Sequence, residues 1–278
     1  MKKLVIATLS AMVLLPFAAL GVESASAADE ARVRVLHASP DAPAVDVYIN
    51  GAEAISDLAY PNVTDYVPLS AGSYEVAVYA AAANGTGTPV IAATLDLTAS
   101  TDYTVAAVGQ LAAIEPLVLV DNNALPALGQ AHLRFVHTSP NAPAVDIAAA
   151  GAGVVVPNAA FKDASGYLPL SAGSYDLSVL AAGTSTVALD LPDVKLESGK
   201  VYTAFALGLL GETPPLTAKV VVDAQASLPA APSTGTGLVT DGSSTEMNLY
   251  ILAGIALVGI ALAVGVASTT FASATGRR

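Results

Sequence analysis

Two stretches that share one pattern decide the architecture of this 278-residue chain: HASPDAPAVDVYINGA at residues 37–52 and HTSPNAPAVDIAAAGA at residues 137–152. A second matched pair follows, VPLSAGSYEVAV at residues 67–78 and LPLSAGSYDLSV at residues 168–179. Each pair recurs about 100 residues apart, which is the size of a domain and too long for one unit of a solenoid. We therefore predict a duplicated domain.

The two predicted copies, repeat 1 (residues 29–127) and repeat 2 (residues 128–228), have the pattern of short β-strands. Residues alternate between two faces in runs such as 32–37 and 73–78, as in a strand with one buried face. Turn sequences separate the runs, among them SPDAP, an Asn-Gly pair and NGTGTP. About seven short strands per repeat favour a β-sandwich of the immunoglobulin-like or transthyretin-like type.

The repeated motif His-x-Ser-Pro-x-Ala-Pro-x-Val-Asp, followed by Pro-Leu-Ser-Ala-Gly-Ser-Tyr, resembles the bacterial and archaeal family known as domain of unknown function 4397. The resemblance covers both repeats. It implies secreted or surface-anchored β-sandwich modules, often in tandem, with no assigned activity. Repeat 2 departs from repeat 1 where AAAG at residues 148–151 replaces YING at residues 48–51, so any ligand contact made by Tyr48 or Asn50 is absent there.

Eight residues of this motif are the candidate site residues, and we interpret them as structural: His37, Ser39, Pro40 and Asp46, with His137, Ser139, Pro140 and Asp146. They include the residue types of a hydrolase triad. However, neither serine lies in a glycine-flanked nucleophile elbow, and no oxyanion loop is visible. We therefore predict no catalytic residues and no enzyme activity, with a hydrolase as the least favoured alternative. Each histidine is expected to be buried and hydrogen-bonded to the turn that follows it, and each serine to bond nearby backbone.

Other polar residues give weaker hypotheses. If the first two strands of each repeat are neighbours, Arg34 faces Asp46 and Arg134 faces Asp146 as cross-strand ion pairs. The sequence has no closely spaced histidine pair and no calcium loop, so we predict no metal site and no cofactor. Five tyrosines are candidates for a sugar-stacking surface, although such rings more often cap a sandwich core: Tyr48, Tyr60, Tyr66, Tyr79 and Tyr167.

The two ends of the chain predict export and anchoring. Residues 1–27 have the charged start, apolar run and small-residue end of a signal peptide, with cleavage between Ala27 and Ala28. Three segments are expected after repeat 2: a flexible stalk rich in Ser, Thr, Gly and Pro (229–247), a transmembrane helix (248–269) and a basic cytoplasmic tail (270–278). Pro232, Thr234 and Gly235 resemble a sortase sorting motif, so wall attachment is the alternative to a permanent membrane anchor.

Charge and composition limit the partners. Between residues 29 and 247 lie 7 of the 11 basic and 22 of the 23 acidic residues, a net charge of −15. Such a surface does not neutralise phosphates, so we expect no nucleic acid partner. The absence of cysteine excludes disulfides and thiol chemistry. The expected role is a non-enzymatic cell-surface or envelope protein used in adhesion, envelope structure or extracellular ligand binding. Its partner would be an extracellular protein or polysaccharide, and a displayed carbohydrate-binding module is the alternative.

Overall fold

A computed structural model describes residues 30–225, which form sixteen β-strands and two short 3-10 turns, Ala81–Ala83 and Leu111–Ala113. The strands of repeat 1 are β1 (Glu30–His37), β2 (Val45–Ile49), β3 (Ala52–Leu58), β4 (Val67–Ser70), β5 (Gly72–Ala80), β6 (Ile91–Leu97), β7 (Asp102–Val108) and β8 (Glu115–Asp121). Those of repeat 2 are β9 (Gln130–His137), β10 (Val145–Ala149), β11 (Gly153–Ala159), β12 (Leu168–Ser171), β13 (Gly173–Ala181), β14 (Val187–Leu196), β15 (Lys200–Leu207) and β16 (Thr217–Gln225). The prediction of an all-β fold is confirmed, with eight strands per repeat.

Each repeat contains two four-stranded sheets. One sheet has the order β4-β1-β7-β8 in repeat 1 and β12-β9-β15-β16 in repeat 2, and we call it the interface sheet. The other has the order β3-β2-β5-β6 in repeat 1 and β11-β10-β13-β14 in repeat 2, and we call it the outer sheet. The first and seventh strands of each repeat pair in parallel at the centre of the interface sheet, whereas every other strand pair is antiparallel.

The alternation along β1 explains how the layers stack. Val33 and Val35 belong to the apolar layer between the interface and outer sheets of repeat 1. Arg34 and Leu36 lie on the opposite face of β1, because successive side chains of a strand point to opposite sides. That face does not meet solvent: Leu36 is fully buried in an apolar cluster that includes Phe205 of repeat 2. The two interface sheets therefore pack on each other between the two outer sheets.

The core of repeat 2 is one continuous cluster, whereas the core of repeat 1 is divided into two. In repeat 2 the cluster extends from Ala131 and Leu133 through Phe135 to Val179. In repeat 1, Ala31, Val33, Leu97 and Tyr103 form one cluster, and Val45, Val47, Leu58, Val78, Ile91 and Ala107 form another. The equivalent tyrosines tie each sandwich together: Tyr74 and Tyr175 donate their hydroxyls to the carbonyls of Ser70 and Ser171 at 2.8 Å.

The predicted signal peptide, stalk, transmembrane helix and basic tail lie outside the described residues. Between residues 30 and 225, no helix has the length and apolar character needed to span a membrane.

Candidate functional site at the repeat interface

The two histidines of the repeated motif end β1 and β9 and are buried. His37 Nε2 lies 2.9 Å from the carbonyl oxygen of Pro43, and His137 Nε2 lies 3.1 Å from that of Pro143. These carbonyls belong to the turns that follow each strand and contain Pro40 and Pro140. Burial lowers the pKa of both rings below the ordinary value of 6.5, so both are neutral at pH 7.

The two serines of the motif are fully buried. Ser139 Oγ donates to the carbonyl of Gly208 at 2.6 Å, and the Ser139 amide lies 3.3 Å from His137 Nδ1. In repeat 1, Ser39 Oγ and His37 Nδ1 have no hydrogen-bond partner. A nucleophile must reach its substrate, and neither hydroxyl meets solvent. The motif therefore does not present an open hydrolase site.

Asp46 and Asp146 hold bulges in the outer sheets. Asp46 Oδ1 accepts the amide of Asp57 at 2.8 Å, and Asp146 Oδ1 accepts that of Asn158 at 2.7 Å. Both donors have positive φ angles, and the register of the strand pair shifts beside them. Asp146 also accepts the amide of Gly183, and these backbone donors lower its pKa.

The predicted ion pairs Arg34–Asp46 and Arg134–Asp146 are wrong. The prediction required β1 and β2 to be neighbours, but β1 pairs with β4 and β7, and β2 lies in the outer sheet. Arg34 projects toward the other repeat instead.

The arginines make a reciprocal exchange between the repeats. Arg34 Nη2 donates to Asp223 Oδ1 at 2.6 Å, and Arg134 Nη2 donates to Asp121 Oδ1 at 2.5 Å. All four side chains are at most 4% exposed. Each arginine thus pairs with the carboxylate of the opposite repeat, as in the isologous interface of a two-fold dimer, but here within one chain.

Hydroxyl groups complete the same arrangement. Asp121 Oδ2 accepts from Thr104 and Tyr66, both at 2.6 Å. Asp223 Oδ2 accepts from Thr203 at 2.5 Å and from Tyr167 at 2.9 Å. We call this set of eight residues the lock: Arg34, Tyr66, Thr104, Asp121, Arg134, Tyr167, Thr203 and Asp223. The lock contains two positive and two negative charges, and each carboxylate receives one guanidinium and two hydroxyl donors.

The tyrosines of the lock also cover the arginines. The guanidinium carbon of Arg34 lies 4.7 Å from the ring centre of Tyr66, and that of Arg134 lies 4.6 Å from the ring centre of Tyr167. Such distances are typical of cation–π contacts. Burial raises the pKa of both hydroxyls above the ordinary value, and the adjoining carboxylates raise it further. Both therefore remain hydrogen-bond donors at neutral pH.

The five candidate tyrosines do not form one surface. Tyr66 and Tyr167 belong to the lock, and Tyr60 packs on the apolar cluster between the repeats. Only Tyr48 and Tyr79 come together, with ring centres 5.3 Å apart in an edge arrangement on the outer sheet of repeat 1. The described residues contain no group of three or more histidine, aspartate or glutamate side chains placed to hold a metal ion.

Sequence reasoning missed the lock although it left a signal. The segments VRVLH and LRFVH each place an arginine inside an apolar strand, and a buried arginine requires a partner. The last strand of each repeat has an aspartate at or near its end: Asp121 is the final residue of β8, and Asp223 lies two residues before the end of β16. Pairing each arginine with the aspartate of its own repeat would join Arg34 to Asp121. In the structure each arginine instead pairs with the aspartate of the other repeat.

Comparison with known proteins gives a family but no activity. The model of the family described as "Domain of unknown function (DUF4397)" matches residues 31–148 and 149–234. The junction of these matches falls within β10, whereas the strand pattern repeats from β9. No curated protein matches the sequence. Among solved structures, CBMbc (family CBM26) from Eubacterium rectale Amy13K, in complex with maltoheptaose, is similar at 12% identity and a TM-score of 0.22, covering 69% of this chain and 96% of that one.

Proposed function

The chain belongs to the DUF4397 family, a domain of unknown function, and we propose that it is a non-enzymatic cell-surface or envelope protein whose two repeats bind an extracellular partner as one rigid body. The lock is the observation that carries the proposal. It joins the repeats through buried charges, and a buried pair is costly to separate. A unit of this kind presents two sandwiches in a fixed relation, which suits adhesion, envelope structure or capture of a ligand.

The burial of the motif supports a role without catalysis. His37 and His137 use Nε2 in turn contacts, and Ser39 and Ser139 do not meet solvent. We interpret the eight motif residues as structural: they shape the β1–β2 and β9–β10 turns and the bulges of the outer sheets.

A hydrolase screen tests this proposal. The purified full chain is expected to hydrolyse neither ester nor peptide substrates, and the variant Ser39→Ala with Ser139→Ala is expected to give the same result. Hydrolysis by the wild type that the double variant loses would contradict a non-enzymatic role.

Location at the cell surface is part of the same proposal and rests on the two terminal segments. Antibody against the repeats should label intact cells that express the full chain. Thr234→Ala should leave labelling and membrane fractionation unchanged if the C-terminal apolar segment is the anchor. Release of the variant from a wall fraction would instead favour sortase attachment through Pro232, Thr234 and Gly235.

Polysaccharide binding by repeat 1 is the second candidate, and the Tyr48–Tyr79 pair favours it. The Tyr48 hydroxyl donates to the carboxylate of Glu53 at 3.2 Å, so two aromatic rings and a polar group lie together, a combination that suits a ligand with both apolar faces and hydroxyls. Repeat 2 has Ala148 and Leu180 at these positions. On a glycan array, Tyr48→Ala should abolish a signal that Leu180→Ala retains. Wild-type protein that binds no polysaccharide would exclude this candidate.

A further inference from the structure

We propose that the cleft between the two sheets of repeat 1 is a binding site for a neutral alkyl chain. A cavity of about 90 Å³ lies there, between β5 and β6 of the outer sheet and β1, β7 and β8 of the interface sheet. It lies between the two apolar clusters into which the core of repeat 1 is divided. The inference goes beyond the proposed function, because it names a ligand class and does not depend on where the chain is displayed.

The lining selects for an apolar ligand. It is aliphatic apart from Tyr74 and Thr94, and it includes Val35, Ala93, Val105 and Val118. The Tyr74 hydroxyl is already used at the carbonyl of Ser70. A water molecule needs two or more polar partners to occupy a cavity, whereas apolar cavities stay dry and bind apolar molecules.

The shape of the cleft favours a chain over a ring. The lining extends from Tyr74 to Val78 along β5 and from Ile91 to Leu95 along β6, which is about 13 Å at the rise of a β-strand. Strands β6 and β8 are edge strands of their sheets, and the cleft opens between them. There Pro116 is exposed, and Val118 on β8 is 45% exposed. A flexible chain can enter from this edge and lie along the strands.

The charge around the cleft favours a neutral head group. The lining contains no lysine, arginine or histidine to pair with a carboxylate. The chain between residues 29 and 247 has a net charge of −15, which disfavours an anion at the entrance. A neutral alcohol is therefore expected to bind more tightly than a fatty acid of the same length.

Repeat 2 is the internal control because larger side chains fill the equivalent cleft. The neighbouring pair Val35 and Val105 of repeat 1 is replaced by Phe135 and Ala204, so the phenylalanine ring occupies space beside a smaller partner. Leu191 also stands where repeat 1 has Ala93. In repeat 2 the cavity between the two sheets is only about 20 Å³, and the hydrophobic core is one continuous cluster.

Calorimetric titration of the full chain with n-octanol tests the site. The wild type is expected to bind one equivalent. Val35→Phe with Val105→Ala transplants the repeat 2 pair and should weaken binding about tenfold or more, since a ring that displaces two buried methylene groups has this effect. The reverse exchange, Phe135→Val with Ala204→Val, should create a second site.

Two further measurements separate occlusion of the site from damage to the fold. Ala93→Leu fills the cleft by another route and should also weaken binding, while the unfolding midpoint of each variant reports whether it folds. Octanoate should bind more weakly than n-octanol. Absence of n-octanol binding in the wild type, or unchanged binding in folded variants that fill the cleft, would overturn the proposal. Equal affinity for octanoate would overturn the neutral ligand class.

Discussion

The two repeats share one fold and one interface but differ inside their sandwiches. Every residue of the lock in repeat 1 has the same residue type at the equivalent position of repeat 2. The cores differ, because Phe135 and Leu191 fill a space that Val35 and Ala93 leave open. A reciprocal interface constrains both copies in the same way, because each lock residue of one repeat contacts the other repeat or supports a residue that does. The interior of each copy is free to change, provided that its sheets still face each other.

The contacts of the shared motif also differ between the repeats. The Ser139 hydroxyl donates a hydrogen bond to the carbonyl of Gly208, whereas the Ser39 hydroxyl has no hydrogen-bond partner. The loop between β5 and β6 covers residues 81–90, and its counterpart in repeat 2 covers only residues 182–186. The longer loop places Gly85 against Tyr48, where an added Cβ would lie 2.5 Å from the ring carbon Cζ and from the hydroxyl oxygen. Any function specific to one copy is therefore expected in repeat 1.

Removing one arginine of the lock should give the largest effect. Arg34→Met or Arg134→Met leaves a buried carboxylate without its cation, which costs about 3–5 kcal/mol in the free energy of unfolding. Arg134→Met should cost more, because Asp223 keeps Arg134 at 4.0 Å when Arg34 is lost. Urea denaturation of the two variants measures the difference.

Two controls identify the lock as the cause. Arg34→Met with Asp223→Leu removes both charges and should recover most of the loss, since apolar replacement of a buried pair is often neutral. Glu115→Gln breaks the pair with Lys162, where the two side chains are 46% and 42% exposed, and should cost less than about 1 kcal/mol. A loss below that value for Arg134→Met would contradict the role given to the lock.

The sequence was sufficient for features that depend on local pattern. Alternation and turn residues placed strands such as β1 and β5, and the repeated motif identified the duplication. The motif also predicted that His37 bonds the turn after it, since Pro43 is only six residues away. These features are local because the interacting groups are close in the chain.

The partner of Arg34 could not be found in this way. Asp223 lies 189 residues along the chain, and the pair forms only because the two interface sheets pack face to face. The sequence prediction assumed that consecutive strands pair, but β1 and β2 enter different sheets. The cleft in repeat 1 could not be predicted from the sequence for a similar reason. Val35 and Phe135 are visible as a substitution, but whether a smaller residue leaves a cavity depends on how far the surrounding sheets close.

Truncation of the two serines should give an intermediate effect that differs between the repeats. Ser139→Ala leaves the buried carbonyl of Gly208 without this donor and should cost about 1–2 kcal/mol. Ser39→Ala removes a hydroxyl that has no partner, so its cost should be near zero. Thermal unfolding of the two variants side by side measures both values. Equal losses would show that Ser39 is bonded in solution and that the repeats are alike at this point.

The pH dependence of unfolding should give the smallest effect. Burial lowers the pKa of His37 and His137 in the folded chain below the ordinary value of 6.5 that applies to the unfolded chain. The unfolded chain therefore takes up protons first as the pH falls below about 6.5, and the free energy of unfolding decreases with it.

The surroundings of the two buried histidines differ. Tyr60 faces the ring of His37, whereas the charge of Asp163 acts on His137 and opposes the lowering of its pKa. His37→Gln should consequently flatten the dependence between pH 7 and pH 5 more than His137→Gln, with half-buried His132→Gln as the control. Asp146 adds to the pH dependence only in more acidic solution. Its pKa is depressed in the folded chain, so the free energy of unfolding that it contributes is lost as the pH falls below the ordinary value of 3.8. Urea titrations across this range provide the measurement, and a wild-type free energy that is constant from pH 7 to pH 5 would show that neither ring is held neutral by the fold.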